Sequence, residues 1–161
     1  MENAKNLAIQ IEKVYGIPWQ VTVWQASLES GWGRSWLSAK FNNYFWIKSF
    51  WKWNSVSLAT NEYENWKKVT IKDWFRVYND MKESFIDYAK FLTHNPRYFG
   101  AFKYWYNLDE KPSYYPSDYI LYDPEKFIKE IANAWYATDP SYAYSVISTW
   151  KKFDWLETKV A

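Results

Sequence analysis

The chain has 161 residues, a net charge of +2, no cysteine and one histidine. This length fits one domain with its own core, and we predict a single domain over residues 1–161. The lack of cysteine excludes disulfides and thiolate metal sites, and the small net charge argues against nucleic acid as a partner. No apolar run is long enough to span a bilayer, and no basic-then-apolar leader is visible. We therefore expect neither membrane insertion nor a signal peptide in this chain.

Aromatic residues are unusually frequent, with 13 Trp, 15 Tyr and 10 Phe against only 4 Gly. One explanation is a core rich in rings, many of which stay partly exposed in a domain of this size. The other is a groove lined by flat aromatic faces, on which the C–H faces of sugars pack. Composition by itself favours the first explanation.

Two helices are predicted at the start of the chain. The first covers residues 3–15 and ends at Gly16, where the helical spacing of apolar residues stops. The second covers residues 18–30 and buries an apolar stripe. Gly31 lets the chain leave this helix sharply, because glycine adopts left-handed backbone conformations without strain.

Glu29 lies on the last turn of the second helix, beside Leu28 of the buried stripe. An apolar wall raises the pKa of a carboxyl group and keeps it protonated near neutral pH, as a general acid requires. The alternative is an ordinary solvated glutamate beside a helix C-cap, and the helical pattern alone favours this alternative.

A short helix is predicted over residues 35–40, followed by an irregular stretch rich in rings. Alternating apolar and polar residues then predict a β-hairpin over residues 56–78. The hairpin carries a second acidic candidate, Glu62, which would assist an acid at Glu29 in cleaving a glycosidic bond. The alternative is an exposed strand residue paired with a nearby lysine. Because an isolated hairpin is marginally stable in water, this one should rest on the helices and would move as a flap.

Further helices are predicted from residues that cap or begin a helix: Asn79 or Asp80, Arg97, Asp123 and Asp139. The helix after Asp123 keeps its apolar pattern as far as Trp135. Prolines and tyrosines in residues 111–122 predict a loop. The predicted fold class is therefore α+β and mostly α, with one small β-hairpin.

Six segments of the chain together form a recognisable set of motifs. They are residues 28–33 (LESGWG), 43–48 (NYFWIK), 60–69 (TNEYENWKKV), 75–78 (FRVY), 87–98 and 136–143 (YATDPSYA). In this order they resemble the bacterial glucosaminidase family, which consists of peptidoglycan hydrolases with a lysozyme-like fold. The resemblance extends from about Gly16 to Trp150 and implies a lysozyme-like fold in which the hairpin is a flap.

The resemblance also implies roles for individual residues. Glu29 matches the catalytic acid, and Glu62 matches a second carboxylate that acts as a base or as electrostatic support. Tyr136 matches the tyrosine at the cleft floor that positions the substrate. The substrate's own acetamido group is an alternative nucleophile. The implied reaction is hydrolysis of the β-1,4 bond after N-acetylglucosamine in peptidoglycan glycan strands, at the bacterial cell wall. No metal or organic cofactor is implied, and we expect a monomer.

Substrate contacts are predicted for Asn43, Phe45, Trp46 and Tyr142. Trp46 departs from the family pattern, which has glycine at this position. Its side chain would either block a sugar subsite or add a face on which a sugar stacks. Other functions stay open on the same fold: a muramidase, a lytic transglycosylase, a catalytically weak wall-binding domain, or a structural domain of a flagellum or phage tail.

Overall fold

The computed structural model describes residues 2–50, 54–64, 67–102 and 123–151, with the backbone alone at 61–64 and 68. The helices within these ranges are α1 (Glu2–Tyr15), α2 (Trp19–Ser30), α3 (Trp36–Phe41), α4 (Met81–Thr93), a 3-10 helix (Pro96–Tyr98), α5 (Phe99–Phe102), α6 (Pro124–Asn133) and α7 (Tyr142–Lys151). The strands β1 (Ser55–Glu64) and β2 (Lys67–Arg76) form an antiparallel hairpin. None of the described helices is long and apolar enough to cross a membrane.

Helix α2 is central to the fold. Helices α1, α6 and α7 pack against it, and α4 packs against α1. Seven of its residues are buried, including the polar Thr22 and Gln25, so its buried surface is wider than the predicted apolar stripe. Because α2 is held on several sides, the position of its last turn, which carries Glu29, is fixed by the core.

The predicted helix starts are confirmed where an aspartate caps the backbone. The Asp80 carboxylate accepts a hydrogen bond from the Glu83 amide (2.8 Å), and that of Asp123 accepts one from the Lys126 amide (3.0 Å). Both bonds satisfy amides that have no partner within the helix. The helix predicted near Arg97 begins as the 3-10 helix and continues as α5. Its predicted continuation and the predicted loop at 111–122 lie outside the described residues.

Two helix boundaries differ from the prediction. Helix α6 ends at Asn133, so Trp135 lies beyond it. The amides of Trp135 and the next residue bond back to carbonyls of the last turn (2.9 and 3.1 Å), and Trp135 takes the left-handed conformation (φ 61°). This is the Schellman arrangement that ends many helices. Asp139 accepts a hydrogen bond from the Ser141 amide within a turn, so α7 begins only at Tyr142.

The predicted hairpin is confirmed, with pairs from Ser55 and Arg76 at its base to Glu64 and Lys67 at its far end. Phe75 belongs to β2 and is fully buried. The connecting residues 65 and 66 lie outside the described part of the chain.

The base of the hairpin is attached to the helical body through Asp87 of α4. Its carboxylate accepts hydrogen bonds from the Arg76 guanidinium (2.6 Å) and the Tyr78 hydroxyl (2.5 Å). Burial and the neighbouring carboxylate raise the pKa of Tyr78, which therefore stays neutral. On the opposite edge, Lys48 forms a backbone bridge to Phe75. These contacts hold the base of the hairpin, and the motion of a flap stays a prediction.

Candidate active site

A cleft of about 560 Å³ opens at the end of α2. Its walls come from α2, the loop after α3, the hairpin and the segment between α6 and α7. The residues discussed below that line it are Glu29, Phe45, Trp46, Lys48, Phe50, Thr60, Arg97, Trp135, Tyr136, Asp139 and Tyr142. Five of the predicted site residues therefore meet in one place: Glu29, Phe45, Trp46, Tyr136 and Tyr142.

The backbone at the end of α2 sets the position of Glu29. Gly31 takes the left-handed conformation (φ 54°), as predicted, and its amide bonds to the Leu28 carbonyl (3.3 Å). The Trp32 amide bonds to the Ser27 carbonyl (2.9 Å), which completes a Schellman arrangement. The chain leaves the helix two residues after Glu29, and this turn leaves the carboxyl group at the cleft.

The surroundings of Glu29 change its acidity. Burial raises the pKa of its carboxyl from 4.5 to about 7, while a hydrogen bond with the Tyr142 hydroxyl acts in the opposite direction. Burial dominates because an ionised carboxylate loses its hydration there. Near neutral pH a large fraction of Glu29 is therefore protonated, which is the state that can give a proton to a leaving oxygen.

Tyr136 lies beneath the cleft among other aromatic rings. Its ring stacks on Tyr142 (centroids 5.6 Å apart, planes at 25°) and meets the edge of Tyr88. Its hydroxyl donates a hydrogen bond to the Phe45 carbonyl (3.3 Å). Burial raises the pKa of Tyr136 well above its ordinary value, so the hydroxyl stays neutral. The predicted place of Tyr136 at the cleft floor agrees with this geometry, and its role toward the substrate stays a prediction.

Trp46 forms a wall of the cleft next to Glu29. Its backbone takes the left-handed conformation (φ 55°), which glycine, the residue of the family pattern, adopts freely. Its indole N–H donates a hydrogen bond to the backbone carbonyl of Glu29 (2.6 Å), and its ring meets the edge of Phe75 (5.2 Å). The side chain thus joins the loop after α3 to the end of α2.

The left-handed conformation at Trp46 predicts a difference between two variants. Both Trp46→Gly and Trp46→Ala remove the indole ring with its hydrogen bond, but only glycine accepts φ 55° without strain. We expect the glycine variant to exceed the alanine variant by about 1 kcal/mol in free energy of unfolding, measured by urea denaturation. Equal stability of the two variants would contradict this expectation.

Two residues predicted to contact substrate also hold the loop after α3. Asn43 is 0% exposed, and its amide bonds to the backbone of Ile47 and Arg76. Phe45 borders the cleft, but its ring is buried and stacks on Tyr88 (centroids 4.0 Å apart). Both side chains are buried in contacts within the protein, and the predicted contact of these two residues with the substrate stays a prediction.

Glu62 lies in β1, paired with Val69 of β2 and two residues beyond Thr60, which lines the cleft. The structure describes the backbone of Glu62 and not its side chain. Its role as a second carboxylate therefore stays a prediction.

Sequence reasoning gave no role to Gln25 and placed Trp135 in a helix. Gln25 lies one helical turn before Glu29 and is completely buried in α2. A glutamine four residues before a candidate acid shares its helix face, and this spacing was an available signal. Trp135, by contrast, is 68% exposed at the rim of the cleft, and its helical spacing gave no sign of this.

Residues 5–155 match the sequence profile of the glucosaminidase family, described as mannosyl-glycoprotein endo-beta-N-acetylglucosaminidase. The chain belongs to the glucosaminidase family. The peptidoglycan hydrolase FlgJ of Vibrio cholerae is 34% identical over 155 residues, which cover 93% of this chain and 42% of that protein. The exo-glucosaminidase LytG of Bacillus subtilis is 33% identical over 146 residues, which cover 91% and 47%. The chain therefore spans less than half the length of these relatives.

Solved structures agree with this membership of the glucosaminidase family. A peptidoglycan hydrolase mutant from Sphingomonas sp. A1 is 30% identical, with a TM-score of 0.71 and coverage of 89% of this chain and 86% of that one. The truncated glycoside hydrolase domain of Salmonella typhimurium FlgJ is 29% identical, with a TM-score of 0.61 and coverage of 93% and 92%. The predicted fold, lysozyme-like and mostly α with a small hairpin, is confirmed.

Proposed function

We propose that this chain is a peptidoglycan hydrolase that cleaves the β-1,4 bond after N-acetylglucosamine in glycan strands, with Glu29 as the general acid. One observation carries the proposal: a carboxyl group with a pKa of about 7 lies in the cleft of a glucosaminidase-family chain. The relatives named as peptidoglycan hydrolases support the choice of substrate. The proposed place of action is the bacterial cell wall, and we expect the chain to act as a monomer.

In the proposed reaction, the Glu29 proton passes to the glycosidic oxygen as the bond to the sugar's anomeric carbon breaks. Positive charge then develops on the sugar ring and requires a nearby nucleophile or anion. Glu62, acting as a base for water or as electrostatic support, and the substrate's own acetamido group are the candidates. Tyr136 would orient the substrate. No metal or organic cofactor enters this scheme.

The walls of the cleft suit a polysaccharide. Trp135 is 68% exposed and Phe50 is 85% exposed, so both offer flat faces on which sugar rings can pack. Arg97 and Asp139 add charged groups for hydroxyls, carboxylates or peptide amides of the wall, and Lys48 lies in the same cleft in an ion pair with Asp73 (2.8 Å). This mixture of rings and charges favours glycan binding over a purely apolar ligand.

The sugar at the reducing end of each digestion product shows which glycosidic bond is cleaved, and it therefore tests the proposed bond. Purified peptidoglycan is digested, reduced with borohydride and examined by mass spectrometry, with untreated wall as the control. We expect reducing N-acetylglucosamine ends. Reducing N-acetylmuramic acid ends would make the protein a muramidase, and 1,6-anhydro ends would make it a lytic transglycosylase. Binding to the wall with no release of fragments would leave a wall-binding domain and end the proposal of an enzyme.

The acidity of Glu29 predicts how activity depends on pH. Its pKa lies above the ordinary glutamate range, and only the protonated form can donate, so kcat/KM should fall as pH rises through about 7. The measurement is the initial rate on soluble glycan fragments at low substrate concentration across the neutral range. A fall centred near the ordinary glutamate value of about 4.3 would contradict a raised pKa, and a rate that climbs above neutral pH would contradict the acid role.

A further inference from the structure

A chain of two hydrogen bonds runs behind the cleft from Tyr88 through Gln25 to Tyr142, which lies next to Glu29 in the cleft. The Tyr88 hydroxyl of α4 donates to the side-chain oxygen of Gln25 in α2. The Gln25 side-chain nitrogen donates to the Tyr142 hydroxyl oxygen of α7 (2.7 Å). Tyr142 and Glu29 both line the cleft, and the Tyr142 hydroxyl lies close enough to the Glu29 carboxyl to favour its ionised form. Gln25 and Tyr88 are 0% exposed and Tyr142 is 6% exposed, so the core shields these bonds from water.

The direction of these bonds follows from the hydrogens that are present. A phenol has one hydrogen to give, and an amide offers a donor nitrogen and an acceptor oxygen. Because Gln25 gives a hydrogen to the Tyr142 oxygen, the single Tyr142 hydrogen remains for Glu29. Tyr88 donates to the oxygen of the same amide, which holds the nitrogen toward Tyr142.

We propose that Gln25 is a positioning residue for the acid, because it fixes the Tyr142 hydroxyl as a hydrogen-bond donor to the Glu29 carboxyl. With one carboxyl oxygen accepting from Tyr142, the acidic proton is carried by the other oxygen. Gln25 touches no substrate in this arrangement and acts only through Tyr142. The inference rests on the proposed role of Glu29 as the acid.

This arrangement has a measurable consequence for the Glu29 carboxyl. A hydrogen bond received by the carboxylate favours the ionised form, so it limits the rise in pKa that burial causes. A hydroxyl that itself accepts a bond is a stronger donor, because bonds in a chain polarise one another. Loss of Gln25 should therefore weaken the Tyr142 bond and raise the Glu29 pKa further.

Three other titratable groups interact electrostatically with Glu29: Tyr88 of α4, Tyr136 of the segment between α6 and α7, and Tyr142 of α7. The same cleft is lined by Lys48 of the loop after α3, Arg97 and Tyr98 of the 3-10 helix, and Asp139 of the segment between α6 and α7. Burial raises the pKa of each of these four tyrosines above the ordinary value of 10.0. They therefore stay neutral over the range in which Glu29 titrates.

The test is a carbon-13 NMR titration of the glutamate side-chain carboxyls, with the Glu29 signal identified by its loss in Glu29→Gln. Gln25→Met keeps the approximate length of the side chain and removes both hydrogen bonds. We expect Gln25→Met and Tyr142→Phe each to raise the Glu29 midpoint by roughly half a pH unit to one unit. In the Tyr142→Phe background, Gln25→Met should add no further shift, because its effect passes through Tyr142.

Two results would overturn the proposal. One is a Glu29 midpoint that Gln25→Met leaves unchanged. The other is a shift by Gln25→Met that is equal in the native chain and in the Tyr142→Phe background. Because Gln25 is buried, near-ultraviolet circular dichroism first establishes that the variant is folded. If it does not fold, Tyr88→Phe takes its place, since this change removes only the anchor of the Gln25 amide. It should raise the midpoint in the native chain and not in the Tyr142→Phe background, and any other pattern would overturn the proposal.

The titration needs no turnover, so it separates this inference from the proposed function. If the Glu29→Gln variant is active, Glu29 is not the general acid. Gln25 then has no role in catalysis through Glu29, whatever the NMR midpoints are. If Glu29→Gln is inactive, the pH at which kcat/KM falls should move upward in Gln25→Met together with the NMR midpoint. If Gln25 had only a structural role, Gln25→Met would lower the rate without changing the pH at which kcat/KM falls.

Discussion

Replacement of Glu29 by glutamine is expected to lower kcat/KM on peptidoglycan by about 10²–10⁴-fold, the range that a positioned general acid contributes. Glutamine has nearly the same shape but no proton of comparable acidity to give to the glycosidic oxygen. The fold should survive, because the protonated acid and the amide are both neutral. Above the Glu29 pKa of about 7, burial opposes ionisation, so the variant should be at least as stable as the native chain.

The matched control is Glu2→Gln, which makes the same chemical change at an exposed residue at the start of α1. Rates of wall digestion are compared at equal concentrations of folded protein, with folding measured by circular dichroism. Glu2→Gln should digest the wall at the native rate. A Glu29→Gln variant as active as this control would contradict the acid role.

Replacement of Asn43 by leucine should lower the free energy of unfolding by about 3 kcal/mol or more. The Asn43 amide nitrogen donates to the carbonyls of Ile47 (3.1 Å) and Arg76 (2.9 Å), and its oxygen accepts from the Ile47 amide (3.1 Å). Leucine is similar in size but leaves three backbone groups, two of them buried and one partly buried, without these partners, and each buried loss costs about 1–3 kcal/mol. Urea denaturation gives the change directly.

Asn6→Leu is the control for this change, because Asn6 is exposed within α1 and surface substitutions usually alter stability by no more than about 0.5 kcal/mol. An Asn43 variant as stable as the Asn6 variant would contradict the buried hydrogen bonds. Native stability together with a loss of wall binding would support the prediction that Asn43 contacts the substrate.

Local signals predicted much of the fold. The caps at Asp80 and Asp123 were predictable because a short polar side chain bonds to an amide three residues along the chain, which requires no tertiary contact. The exit from α2 at Gly31 was predictable for a similar reason. The end of α6 was not, because Trp135 occupies a left-handed position that sequence rules assign to glycine or asparagine.

The candidate site was predictable in part. A motif and its place at a helix end were enough to select Glu29, and the resemblance supplied Tyr136. A motif cannot separate residues that touch a sugar from those that hold the loop, and the buried contacts of Asn43 and Phe45 became visible only in the structure. The hydrogen bonds of Gln25 join α2 to α4 and α7, which are far apart in sequence, so only the tertiary structure reveals them.

The most direct test of Glu29 as the acid is a crystal structure of the Glu29→Gln variant with a bound peptidoglycan tetrasaccharide. If Glu29 protonates the leaving group, the substituted amide should lie about 2.6–3.2 Å from the glycosidic oxygen that follows an N-acetylglucosamine. The glycan should pass along Trp46 and over Tyr136. A glycan bound elsewhere, or bound in the cleft with every glycosidic oxygen beyond reach of position 29, would contradict Glu29 as the acid.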